Sequence, residues 1–108
     1  MNDRELLEMA AKAAGYEWDK AIAEHRAQSG LIGLWIPSVS TCWNPLADEG
    51  DALRLAVKLE LLIDTQYGNS SCITGDGIGA TEMHSNDKYA ATRRAIVRAA
   101  AEIGKAMP

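Results

Sequence analysis

The stretch Leu62-Ile63-Asp64-Thr65-Gln66-Tyr67-Gly68-Asn69-Ser70-Ser71-Cys72-Ile73-Thr74-Gly75-Asp76-Gly77-Ile78-Gly79-Ala80-Thr81-Glu82-Met83-His84 decides the fold class. Leu62, Asp64 and Gln66 alternate with Ile63, Thr65 and Tyr67, and a period of two predicts a half-exposed strand over residues 62–67. Gly68-Asn69 is a turn signal, because these residues tolerate the tight backbone a hairpin needs. Residues 70–74 then read as a short strand, Gly75-Asp76-Gly77 as a second turn, and residues 78–84 as a third strand. Three strands joined by tight turns predict an antiparallel meander.

Helical signals flank the meander. Upstream, Asp48, Glu49 and Asp51 crowd the start of a helix, where negative charge complements the helix dipole. Leu53, Ala56 and Val57, with Ala52, Leu55 and Leu59, give that helix an unusually broad apolar face, ending near residues 59–61. Downstream, Ser85-Asn86-Asp87 caps a last helix reaching about Met107. Tyr89, Ile96, Ala100 and Ile103 face one way along it, bordered by Thr92, Val97 and Met107. Arg93, Arg94, Arg98, Glu102 and Lys105 occupy the rest, with Arg98 spaced to pair with Glu102.

At the N-terminus, residues 3–14 predict a helix capped by Asp3, burying Leu6, Leu7, Ala10, Ala13 and Ala14, and closed by Gly15 in a left-handed cap. Between the helical blocks, Tyr16-Glu17-Trp18 alternates like a short strand, and residues 20–28 have helix-forming composition. The reading favoured is a strand start followed by an irregular or briefly helical excursion. Residues 31–36 predict a strand that Pro37 ends, residues 38–42 a polar connector, and Pro45 keeps Asn44 out of a helix. The order αββαβββα predicts an α+β fold in one domain. Three helices pack on a mainly antiparallel sheet of about four to five strands, covering one face or both.

Composition narrows function. The 108 residues carry 11 Lys+Arg against 15 Asp+Glu, a formal net charge of -4. Phosphate neutralisation carries most nucleic-acid affinity, so an acidic chain argues against direct nucleic-acid binding and favours basic protein surfaces. No apolar run approaches the roughly 20 residues of a membrane span. The charged start leads straight into an amphipathic stretch, and Cys42 and Cys72 without an export signal read as reduced thiols in a cytoplasm.

Three stretches carry a resemblance: Glu5 to Gly15, Trp43 to Leu59 (WNPLADEGDALRLAVKL) and Asp87 to Gly104 (DKYAATRRAIVRAAAEIG). Together they resemble small proteins of temperate bacteriophages and prophages related to the phage α-β-α sandwich domain family. The resemblance covers about half the chain and supplies no catalytic residues. It implies an accessory protein in the bacterial host's cytoplasm that inhibits a host or defence protein. Residues 17–41 depart from the pattern, which places any function special to this chain there.

Trp43 beside Asp48, Glu49 and Asp51 reads either as sheet-edge packing with helix capping or as an interaction anchor with an acidic rim. Glu17, Asp19 and Glu24 form a second acidic patch. These seven residues are the expected partner-binding set, with an acidic surface occupying a basic groove in competition with nucleic acid. The alternatives are an anionic ligand or nucleotide on Arg93, Arg94 and Arg98, and a homodimer. Asp48-Glu49-Gly50-Asp51 lacks calcium-loop spacing, Gly75-Asp76-Gly77-Ile78-Gly79 matches no nucleotide loop, and His25, His84, Cys42 and Cys72 lack metal spacing. No cofactor is expected. A Cys72–His84 nucleophile pair across the meander is geometrically conceivable, because adjacent strands bring distant residues together, but no recognisable cluster of acid, base and nucleophile points to an enzyme.

Overall fold

The computed structural model describes residues 2–30 and 33–108. In chain order the elements are α1 (Asp3–Ala14), α2 (Lys20–Gln28), β1 (Leu34–Ile36), a 3-10 turn (Pro37–Val39), β2 (Thr41–Trp43), α3 (Glu49–Lys58), β3 (Leu62–Asp64), β4 (Asn69–Ile73), β5 (Gly79–Met83) and α4 (Lys88–Ala106). The class is α+β. Instead of three helices on one sheet, the described residues form four helices and two small antiparallel sheets, β1-β2 and β3-β4-β5.

The meander forms with Leu62 opposite Ile73 and Asn69 opposite Met83. Its first turn sits one residue earlier than expected. Tyr67 and Gly68 are the central pair, with φ 60° and 77°, a type I′ pattern that matches the twist of the flanking strands. At the second turn, Gly77 takes φ 85° and donates to the Thr74 carbonyl, while Thr74 donates to the Ile78 carbonyl. Ser70 and Cys72 on β4 are buried, whereas Leu62, Ile73 and Met83 on the opposite face are exposed.

Helix α4 covers β4 and β5, and α1 and α3 pack on α4. The long helix therefore lies between the meander and α1. This position requires small side chains on more than one face. Ala91, Ala95, Ala99, Ala100, Ala101 and Gly104 are all buried, and α1 brings Leu6, Leu7, Ala10, Ala11 and Ala14 to the same core. Tyr89, expected on the buried face, is exposed because α4 enters the core only after its first turn.

Helix ends follow the caps. Asn2, not Asp3, caps α1 by accepting from the Glu5 amide at 2.8 Å, and Asp3 instead pairs with Arg94 at 3.1 Å. Gly15 at φ 77° closes α1, with Gly15 donating to the Lys12 carbonyl and Tyr16 to that of Ala11. The same double bond pattern ends α3, where Glu60 at φ 54° stands in the left-handed position.

The expected strand at residues 16–18 does not form. Tyr16 is spent on closing α1, and Asp19 caps α2 by accepting from the Ile22 amide at 3.0 Å. α2 is a regular helix over the residues 20–28 whose composition favours one, rather than an irregular or brief excursion. Its weak amphipathicity, with only Ala23 buried, is why the sequence does not place it among the expected helices. Leu31 and Ile32, expected in the strand that Pro37 ends, lie outside the described residues. The polar connector contains β2, whose Thr41 to Trp43 pair back onto Ile36 to Leu34. A three-residue strand alternates too briefly to announce itself.

Candidate functional site

A cleft of about 390 Å³ opens where the N-terminal halves of α3 and α4 meet β3. Glu49, Ala52 and Leu53 come from α3, and Ile63 and Thr65 from the first strand of the meander and its exit. His84 follows β5, and Lys88, Tyr89, Thr92, Arg93 and Ile96 come from α4. The walls are largely apolar. The volume falls in the range of small-molecule sites, roughly 300–1,000 Å³, which also suits one docked side chain.

Two large apolar groups on this cleft are left in water. Leu53 is 59% exposed and Tyr89 63%, and Val57, one turn beyond Leu53, is exposed as well. The broad apolar face of α3 is therefore split. Ala52, Leu55 and Ala56 enter the core, while Leu53 and Val57 do not. Too many apolar positions for one buried face was the sequence signal of this surface.

Polar order concentrates at one end. Ser70 is fully buried, with its Oγ 2.9 Å from His84 Nε2 and 2.7 Å from Thr92 Oγ1. His84 donates its own amide to the Gly68 carbonyl at 3.0 Å, so the imidazole is tied down at both backbone and ring.

The residues singled out in the sequence fall elsewhere or are internally engaged. Trp43 is 5% exposed, packed edge-on against Tyr16 at 5.6 Å between ring centroids. It is a core residue and presents no anchor to a partner. Asp48 accepts from the Asp51 amide at 2.8 Å as the α3 cap. Asp51 is buried, accepts from the Asn44 amide at 3.0 Å and pairs with Arg54 at 2.8 Å. Glu49 pairs with Arg93 at 2.7 Å and is the one member of the seven that borders the cleft. In the second patch, Glu17 is exposed, Asp19 is a cap and Glu24 lies 3.6 Å from Arg4.

The α4 arginines hold the fold. Arg93 donates from Nε to the Leu46 carbonyl at 2.8 Å as well as pairing with Glu49. Arg94 reaches Asp3 of α1, and Arg98 reaches Glu82 and the Thr81 carbonyl of β5 rather than Glu102, which pairs with Lys105. One helix is thus tied by three guanidinium groups to three neighbours.

Cys72 does not meet His84. It stands opposite Ala80 on β5, its side chain is fully buried, and burial pushes its thiol up to about 11, so it stays protonated at neutral pH. Among the described residues no group of three or more His, Cys, Asp or Glu side chains could hold a metal ion. No helix among them is long and apolar enough to cross a membrane.

Sequence reasoning missed Ser70, His84, Lys88, Tyr89 and Thr92 as a group, since the meander brings them together from separate segments. Comparison with protein-family models, with curated proteins and with solved structures gives no match, so the site is read from its geometry.

Proposed function

We propose that this chain is a non-catalytic binding protein that seats a side chain of a partner protein in the cleft between α3 and α4. The observation that carries this reading is the exposure of Leu53 and Tyr89 on a formed apolar cleft. Large apolar groups held in water are recovered on association at roughly 25 cal/mol per Å² buried, and clustered exposure of this kind marks binding surfaces. The buried position of Ser70 and the protonated thiol of Cys72 support binding over chemistry, because neither is poised as a nucleophile.

The resemblance to temperate-phage and prophage proteins supports a narrower reading. The chain acts as an accessory inhibitor of a host or defence protein, and the net charge of -4 steers it toward a basic surface. Long-range attraction brings the partner in and the cleft holds it. The acidic groups near α3 are engaged in caps and internal pairs, so they set the field more than the contacts.

The test is affinity capture from bacterial host lysate with the wild-type chain and with Leu53→Asp and Tyr89→Asp, at low and high salt. Both substitutions fall on exposed positions, and far-ultraviolet circular dichroism confirms that each variant folds. A nucleic-acid-binding complex held by the wild type, lost from both variants and weakened by salt is the expected result. Equal capture by all three rejects the cleft, and capture indifferent to salt rejects electrostatic steering.

A further inference from the structure

The relay at the polar end of the cleft has a direction. Thr92 Oγ1 donates to the Lys88 carbonyl at 2.7 Å, and a carbonyl only accepts, so the one proton of Thr92 is committed there. Ser70 must therefore donate to Thr92, and the Ser70 oxygen accepts from Nε2–H of His84. This fixes the ring orientation and the tautomer. Nδ1 is a lone pair in neutral His84 and an N–H in the charged form, and the relay is intact in both.

The charges around the ring are unequal. Glu49 and Arg93 bind each other across the cleft, and the Asp87 carboxylate is turned to the Tyr89 and Ala90 amides as the α4 cap. Lys88 lines the same cleft with its Nζ 5.8 Å from the Tyr89 ring, and among the described residues no carboxylate lies within ion-pair distance of it. An acidic protein thus presents a local cation and an oriented imidazole at the end of an apolar slot.

We infer that the cleft takes the carboxy-terminal residue of a partner protein when that residue is large and apolar. The side chain lies against Leu53, Ile63 and Ile96, and the terminal carboxylate lies at Lys88 and accepts from the Nδ1–H that His84 carries in its charged form, since the neutral ring offers only a lone pair there. An apolar group and a carboxylate leaving the same α-carbon enter one cleft of about 390 Å³ together. A neighbouring acidic side chain, leaving another face of an extended segment, does not. Ser70 and Thr92 act through His84 as positioning residues. This inference rests on the reading of the cleft as the binding face.

The test follows amide chemical shifts of the ¹⁵N-labelled protein during titration with three probes. They are N-acetyl-tryptophan, its carboxamide N-acetyl-tryptophanamide, and N-acetyl-tryptophyl-glutamyl-amide, which moves the carboxylate to the next side chain. The expected result is binding at Leu53, Thr65, His84 and Tyr89, with the acid about fivefold tighter than the carboxamide, the scale of a partly exposed ion pair. Lys88→Glu, at a helix N-terminus that tolerates acid, removes that preference while the carboxamide still binds. Thr92→Val reduces the preference without abolishing binding. Equal binding of acid and carboxamide overturns the carboxylate assignment and leaves the cleft reading standing. Binding of the glutamyl probe as tight as the acid overturns the chain terminus. No shift at the cleft with any probe overturns both.

Discussion

The α-carbon of Gly104 lies against the main-chain carbonyl of Met9, so close that a β-carbon at position 104 would overlap the oxygen. The contact joins α4 to α1 backbone to backbone and explains why both helices meet through alanines. Gly104→Ala ordinarily gains helix propensity of about 1 kcal/mol. Here the two backbones must separate, and overpacking of this kind costs about 1–3 kcal/mol. The net expectation is destabilisation, read as a lower urea midpoint with an unchanged slope. A raised midpoint shows that the helices are free to part.

Among the described residues, four with side chains occupy left-handed positions that favour Gly or Asn: Ser40, Glu60, Tyr67 and Ser85. Tyr67 is 93% exposed at φ 60° before Gly68, and Glu60 is exposed at φ 54° in the α3 cap. Tyr67→Asn creates the preferred Asn-Gly hairpin pair, and Glu60→Gly removes the steric cost of a β-carbon. Each is expected to stabilise by about 0.5–1 kcal/mol, on the scale of the cost of left-handed backbone, with additive shifts in thermal midpoint. Tyr67→Val, β-branched, is expected to destabilise. A lower midpoint for Tyr67→Asn shows that the tyrosine ring makes a compensating contact.

The raised thiol of Cys72 sets an alkaline limit. The unfolded thiol ionises near pH 9, while the folded one stays neutral to about 11. Between these values the unfolded state releases a proton that the folded state retains, so stability is full below pH 9 and falls as pH rises toward 11. A shift of this size is worth at most about 2–3 kcal/mol. Cys72→Ala is expected to flatten the fall measured by urea unfolding from pH 8 to 11. An equal slope in both proteins assigns the loss to other groups. In the native protein a thiol reagent is expected to label Cys42 first, since Cys72 is fully buried.

Arg93 links three places with one side chain. Its Nε reaches the Leu46 carbonyl, its Nη1 reaches Glu49, and the residue lines the cleft. Arg93→Met keeps the stem but leaves the Leu46 carbonyl without that donor, so destabilisation of about 1–3 kcal/mol is expected. Glu49→Gln, on an exposed carboxylate, is expected to cost under about 1 kcal/mol. Chemical denaturation of the two variants separates them, and equal costs place the stabilisation in the ion pair rather than in the carbonyl bond.

By itself the sequence determined the local elements: the meander over residues 62–84, the helices α1, α3 and α4, and the stops at Gly15 and Pro37. Periodicity, caps and turn residues act within a few residues, and these features are written at that range. The tertiary structure decided everything that depends on distant segments. Arg94 meets Asp3 across 91 positions and Arg93 meets Leu46 across 47, so a helix face that reads as solvated is instead the clasp of the fold. The split of the strands into two sheets, the burial of Trp43 against Tyr16, and the pairing of Cys72 with Ala80 were settled the same way. The cleft belongs to this second kind. Leu53 carried an apolar excess visible in the sequence, but only packing placed it beside His84, Lys88 and Tyr89, because burial on α3 is set by how much of its face α4 has room to cover.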